Sequence, residues 1–122
     1  MLKKRIEKSS MLIISGVVIE GRQKGRELGY PTANIILTMA IPSGIYAATT
    51  EVNGKKYMGA VFINEYMNLF EVYLLDFSGD LYGQELRVEL KEKIREVEKF
   101  ENEESLKKQI AKDVERVRKL SH

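Results

Sequence analysis

Three features of the sequence predict a mainly β fold, a small antiparallel barrel carrying one C-terminal α-helix. Most of the chain reads as short strand-like runs, some apolar and β-branched and one, over 84–91, cleanly alternating with the two-residue period of strands. An Asn-Gly pair at 53–54 lies between two such runs, the strongest short hairpin signal available. Beyond Phe100 the apolar spacing lengthens to that of a helix face. Six or so short strands followed by one helix suit a barrel with the helix packed on its outside or across one end, with a sandwich as second choice.

The elements follow in order. The first strand is expected over 11–20, where Met11 to Ile19 is apolar and rich in β-branched residues before Glu20-Gly21-Arg22. This run follows basic residues, yet it is too short for a secretory signal and has no small-x-small cleavage site. No run approaches the roughly 18–20 apolar residues that span a bilayer. Strands over 32–37 and 44–52 come next, the second ending at Asn53-Gly54. Its hairpin partner is 56–63, where Tyr57, Gly59, Val61 and Ile63 alternate with Met58, Ala60 and Phe62. Residues 69–77 form another strand, closed by Ser78-Gly79-Asp80. In 84–91, Leu86, Val88 and Leu90 share one face, and Arg87, Glu89 and Lys91 the other. The helix is expected over 102–120, with Leu106, Ile110, Val114 and Val117 on one face. Asn102 is placed to cap it, Glu103 and Glu104 fill its first turn, and Arg116, Arg118 and Lys119 crowd its last.

The 122 residues suffice for one domain, read as a basic extension over 1–10 and a barrel domain over 11–122. A composition of 43% hydrophobic and 31% charged residues, with two prolines, excludes a disordered chain. With no cysteine, a disulfide scaffold, a thiolate metal site and a thiol nucleophile are excluded, and a cytoplasmic protein is expected. The lone histidine, His122, is the last residue, so a Ser-His-Asp triad is excluded and any cation must rest on oxygen ligands. The net charge of +2 lies in the extension: Lys3, Lys4, Arg5 and Lys8 against Glu7 make +3 there, leaving −1 for the rest. A face built for a phosphate backbone should carry its charge on the folded body, so neither nucleic acid nor membrane is expected as a partner.

The densest chemistry is Gly21-Arg22-Gln23-Lys24-Gly25-Arg26-Glu27-Leu28-Gly29-Tyr30-Pro31-Thr32-Ala33-Asn34. Glycines four apart let backbone N–H groups approach a ligand, and three basic side chains lie among them, which suits a polyphosphate. It is neither a Walker A loop nor the dinucleotide fingerprint, and a plain glycine-rich connection between strands has the same composition. Thr32 and Asn34, two apart in extended chain, face the same way and could offer oxygens to Mg²⁺, or could simply satisfy a turn. Glu71 interrupts a strand apolar on both faces. It either sits at an exposed end or lines a pocket, where it could act as a general base.

The motif Gly25-Arg26-Glu27-Leu28-Gly29-Tyr30-Pro31-Thr32-Ala33-Asn34 resembles the signature of riboflavin kinases of the bacterial and eukaryotic type. Pro42-Ser43-Gly44-Ile45-Tyr46-Ala47 is similar to that family's Pro-x-Gly-Val-Tyr element. Phe70 to Phe77 with Asp80-Leu81-Tyr82-Gly83 resembles its catalytic strand and turn, and Arg95 to Phe100 with the helix after Asn102 resembles its tail. The resemblance covers about Gly16 to Leu120.

It implies a six-stranded, Greek-key-like antiparallel barrel that phosphorylates riboflavin at the ribityl 5′-hydroxyl with ATP, giving FMN and ADP; a monomer is expected. By the same resemblance, Glu71 would accept the hydroxyl proton. Thr32 and Asn34 would hold Mg²⁺ or another divalent cation together with the phosphates. Gly21, Lys24, Gly25, Arg26, Gly29, Tyr30 and Pro31 would close over the nucleotide, and Arg95 would lie near the flavin. Many family members carry an N-terminal adenylyltransferase domain, which ten residues cannot form, so FAD synthesis is not expected. The sequence departs from the family in two places: the connection within 60–70 is short and lacks a proline, and Val97 stands where a glutamate is usual. Both predict a more open flavin side. The competing readings are a barrel that binds flavin or nucleotide without catalysis, and a nucleic-acid barrel using Tyr57, Tyr66 and Tyr73.

Overall fold

In the computed structural model the described residues are 12–20 and 29–120. Six strands, β1 (Ile13–Val17), β2 (Ala33–Asn34), β3 (Gly44–Val52), β4 (Lys55–Asn64), β5 (Leu69–Leu74) and β6 (Glu85–Arg95), precede helix α1 (Glu103–Leu120). A short 3-10 turn, Glu65–Met67, joins β4 to β5. All strands lie in one antiparallel sheet ordered β1-β6-β3-β4-β5-β2. Strands β3, β4 and β5 form a meander and β6 returns beside β3, which is the Greek-key arrangement. The sheet curls until its two ends meet at one bridge, where the Ile19 N–H donates to the Asn34 carbonyl at 2.8 Å. The barrel is therefore partly open, joined at this point rather than along a ladder.

Local chemistry accounts for these elements. Asn53 and Gly54 both take positive φ, 50° and 81°, as a two-residue hairpin turn requires, and Glu51 pairs with Lys56 across it. Asn102 Oδ1 accepts from the Ser105 N–H at 2.8 Å, so it caps α1 from outside. The strand expected over 32–37 shrinks to two residues. Ile35 and Leu37 are buried and Ile36 and Thr38 exposed, so their alternation is real, but beyond the bond from the Ile35 N–H to the Phe70 carbonyl of β5 it reflects inward packing and is not part of an assigned strand. The strand expected to reach residue 77 stops at Leu74, because Asp76 turns the chain through φ 59°. Strand β6 runs on to Arg95, with register shifts against β3 between Ile45 and Ala48.

Two apolar layers result. The barrel interior holds Phe70, Val72, Val61, Ile63, Leu86 and Val88, each at most 1% exposed. On the outer face of β3–β5, Ala47 and Leu75 pack against Val117 of α1, with Met58, Ala60, Tyr73 and Val114 around them. Strand β5 is thus covered on both sides, which is why its sequence is apolar on both faces. Arg118 and Asp76, 3.0 Å apart, tie the end of α1 to the turn after β5. No helix among the described residues is long and apolar enough to cross a membrane.

Candidate active site

The β2–β5 pairing assembles the centre of the site. Asn34 is the register partner of Glu71, and directly paired residues of an antiparallel ladder put their side chains on one face. Thr32, two residues before Asn34, joins them. Its hydroxyl donates to Glu71 Oε1 at 3.4 Å. Glu71 is 4% exposed, so of its two possible positions it takes the one lining a pocket. Asn34 is 6% exposed, and its Oδ1 has no hydrogen-bond partner among the described residues. An uncompensated amide oxygen is costly to bury, and a cation or a donor from a bound ligand would satisfy it.

Two cavities meet here. One, of about 140 Å³, is mostly apolar: Ile45, Ala60, Val61 and Phe62 of the sheet face Leu106, Ile110 and Val114 of α1, with Val97 and Phe100 between. Its polar groups are Thr32, Glu71, Arg95, Glu98 and Asp113, with Tyr30 at its wall. The other, of about 540 Å³, runs from Glu20 and Pro31–Asn34 to the turn Ser78–Tyr82. Thr32 and Tyr73 line both. Tyr30 meets Tyr73 edge to face at 5.4 Å. A small apolar slot beside a wider, more polar one suits a planar ring on one side and a polyphosphate on the other, with a carboxylate and a hydroxyl where they meet.

The residues expected at the site distribute as follows. Glu71, Thr32, Tyr30 and Arg95 line the apolar cavity, while Asn34, Thr32 and Pro31 line the polar one. Gly29 lies at the surface with φ 92°, a backbone conformation that favours glycine. Gly21, Lys24, Gly25 and Arg26 lie outside the described residues. The three tyrosines of the nucleic-acid reading do not form one platform: Tyr57 packs on Phe77 at 5.2 Å, Tyr73 on Tyr30, and Tyr66 stands 92% exposed at the opposite end of β4 from Tyr57.

Asp113 was not singled out in the sequence. It is 5% exposed on the inner face of α1 and holds Arg95 in a bidentate pair, Nε to Oδ1 at 2.8 Å and Nη2 to Oδ2 at 2.7 Å. Gln109 Nε2 donates to the same Oδ1 at 3.0 Å. The signal was present, because Asp113 stands three residues after Ile110 and one before Val114, a charge inside an apolar stripe. Phe100 was likewise legible only as spacing; the Arg95 guanidinium lies 5.9 Å from its ring centroid.

The connection between β4 and β5 is short, as expected. Asn64 pairs with Leu69, Asn64 Oδ1 accepts from the Tyr66 N–H, and Asn68 turns back at φ 51°. Ser43 and Glu65 exchange two hydrogen bonds that pin this turn to the start of β3. No residue from 64 to 68 lines the apolar cavity.

A family model for flavokinase (riboflavin kinase) matches residues 9–121. An RNA-binding riboflavin kinase of Bacillus subtilis, RibR, is 37% identical over 117 residues, covering 89% of this chain and 51% of that protein. A bifunctional riboflavin kinase/FMN adenylyltransferase of Haemophilus influenzae is 44% identical over 111 residues, covering 84% of this chain and 36% of the relative. The chain thus spans about half or less of the length of these relatives. Among solved structures, riboflavin kinase from Trypanosoma brucei superposes with TM-score 0.65 at 25% identity, over 88% of this chain and 78% of that one. A Streptococcus pneumoniae structure named macrolide-efflux protein superposes with TM-score 0.82 at 31% identity, over 90% of this chain and 39% of that one.

Proposed function

The chain belongs to the riboflavin kinase family, and on that premise we propose that it transfers the γ-phosphate of ATP to the ribityl 5′-hydroxyl of riboflavin, giving FMN and ADP. The observation that carries this reading is the position of Glu71 and Thr32 at the meeting of an apolar and a polar cavity. The flavin ring enters the apolar cavity, its ribityl chain reaches toward Glu71, and the nucleotide lies along the polar cavity.

In the reaction the 5′-oxygen forms a bond to the γ-phosphorus as the bond to the β–γ bridging oxygen breaks, and the hydroxyl proton passes to the Glu71 carboxylate. Such a transfer depends on positioning and charge neutralisation more than on covalent chemistry. Burial of Glu71 limits competing water, and the Thr32 hydroxyl orients its carboxylate. Mg²⁺ fits the residues present: the buried Asn34 Oδ1 lacks a partner, and the Thr32 oxygen keeps lone pairs after donating to Glu71. Thr32 and Asn34 would hold the ion together with the phosphates, and it would supply charge neutralisation. Gly21, Lys24, Gly25, Arg26, Gly29 and Pro31 would flank the nucleotide; Tyr30, grouped with them from the sequence, lines the apolar cavity instead.

The enzyme acts as a monomer in the cytoplasm, and nucleic acid is no partner, since the net charge outside residues 1–10 is −1. Incubation with riboflavin, ATP and Mg²⁺, followed by chromatography, tests the proposal. FMN formation dependent on all three is expected. Riboflavin or nucleotide binding without turnover would instead mark a binding protein, and binding of neither would overturn the assignment.

A further inference from the structure

Asp113 is a carboxylate buried on the barrel face of α1. A charge in that position is costly unless fully compensated, and its two oxygens accept three hydrogen bonds, two from Arg95 and one from Gln109. Arg95 ends β6, where the register against β3 has already shifted, so the strand alone does not fix its side chain. Three contacts do: the bidentate bond to Asp113, a bond from Nη1 to the Glu96 carbonyl at 2.9 Å, and the Phe100 ring beneath the guanidinium. Of five guanidinium N–H groups, these bonds commit three. Two remain on a group that lines the apolar cavity, and its charge is already balanced by Asp113.

We propose that Asp113, seated by Gln109, is a positioning residue: it holds Arg95 at the apolar cavity as a charge-balanced hydrogen-bond donor for the carbonyl oxygens of a neutral planar ring. The proposal rests on the reading of this cavity as the riboflavin side. A balanced guanidinium offers donors and a flat face without the field of a bare cation, which suits an uncharged heteroaromatic ring better than a phosphate. Helix α1 therefore shapes acceptor specificity through a residue that does not itself react.

The alternative role is a plain anchor of α1 to the barrel, and three variants separate the two. Asp113→Glu keeps a paired carboxylate but moves it by one methylene; Asp113→Asn keeps the shape and removes the charge; Arg95→Lys loses the fork. Riboflavin affinity is read by quenching of flavin fluorescence without nucleotide, ATP affinity from steady-state KM, and folding from circular dichroism. Asp113→Glu is expected to stay folded, with riboflavin Kd raised about tenfold and the KM for ATP within about twofold of wild type. Asp113→Asn is expected to weaken riboflavin further, and the Arg95→Lys/Asp113→Asn double variant to be no weaker than Arg95→Lys alone, because both act through one group. An unchanged riboflavin Kd in a folded Asp113→Glu would overturn the proposal, as would additive losses in the double variant. Should Asp113→Asn fail to fold, Asp113→Glu alone decides. If wild type binds no riboflavin, the reading of the cavity fails first; if it binds and the variants match it, only the role of Asp113 fails.

Discussion

Glu71 shares one small face with Thr32 and Asn34, and each of the three has a separable expected effect. Replacing Glu71 by Gln preserves its shape but removes the proposed base, so turnover should fall by roughly 10²–10⁴ while ATP binding survives. Rapid-quench measurement of FMN formation checks this, and a variant within a few-fold of wild type would rule Glu71 out as the base. Asn34→Ala removes the uncompensated buried oxygen, and Thr32→Ala the hydroxyl between the cavities. Each should weaken Mg-ADP more than riboflavin, because in the proposed function the lost oxygen would face metal and phosphate. Calorimetric titration with Mg-ADP tests the pair; unchanged affinity in both would remove the metal-site assignment.

Among the elements, α1 closes one wall of the apolar cavity with Leu106, Ile110 and Val114. Its start depends on the Asn102 cap, and Asn102→Ala should cost about 1 kcal/mol in chemical denaturation. Val117 is fully buried against Ala47 and Leu75, so Val117→Ala should cost more, about 2 kcal/mol, from lost burial and the space left behind. A cost below about 0.5 kcal/mol would mean that α1 is not packed as described. The β4–β5 turn acts by omission. Since residues 64–68 do not line the cavity and Val97 is 37% exposed, a ring bound as proposed would be enclosed by the sheet, α1, Arg95 and the 97–100 segment, with nothing from the β4–β5 turn. Fewer enclosing contacts predict a high riboflavin KM beside an ordinary one for ATP. A riboflavin KM in the low-micromolar range or below would show that the short turn has no such effect.

For the molecule as a whole, stability should respond to alkaline pH through Tyr46. Burial raises its phenol above the ordinary value of 10.0; Lys93 opposes this, and Glu96 and Glu65 add to it. The folded chain therefore keeps this proton to higher pH than the unfolded chain. The contribution is complete below pH 10 and is lost as pH rises through the folded-state value. Tyr46 also donates to the Pro42 carbonyl at 2.7 Å. Tyr46→Phe should be less stable than wild type by about 1 kcal/mol at pH 8, from the lost hydrogen bond. That deficit should shrink between pH 10 and 12, as the wild type alone pays for ionisation. Urea titrations across this range check the sign, and a deficit that grows with pH would contradict it.

The strands, the hairpin at Asn53-Gly54 and the capped helix were legible in the sequence because each depends on neighbours a few residues away. Periodicity also identified the buried faces, even over 35–38, where the alternation reflects inward packing outside any assigned strand. The motif around Pro31-Thr32-Ala33-Asn34 and the isolated Glu71 picked out the side chains that the β2–β5 pairing brings together. Whether Glu71 was exposed or enclosed could not be read locally, since an apolar strand end and a pocket wall share one pattern. That was decided by the register of β2 on β5 and by α1 covering the outer face of the sheet. Asp113 makes the same point from the helix side. Its place in an apolar stripe marked it as unusual, but its partner lies eighteen residues earlier on another element. Hydrogen bonds and burial at such separations depend on how the sheet curls and where the helix docks, and only the tertiary structure decides that.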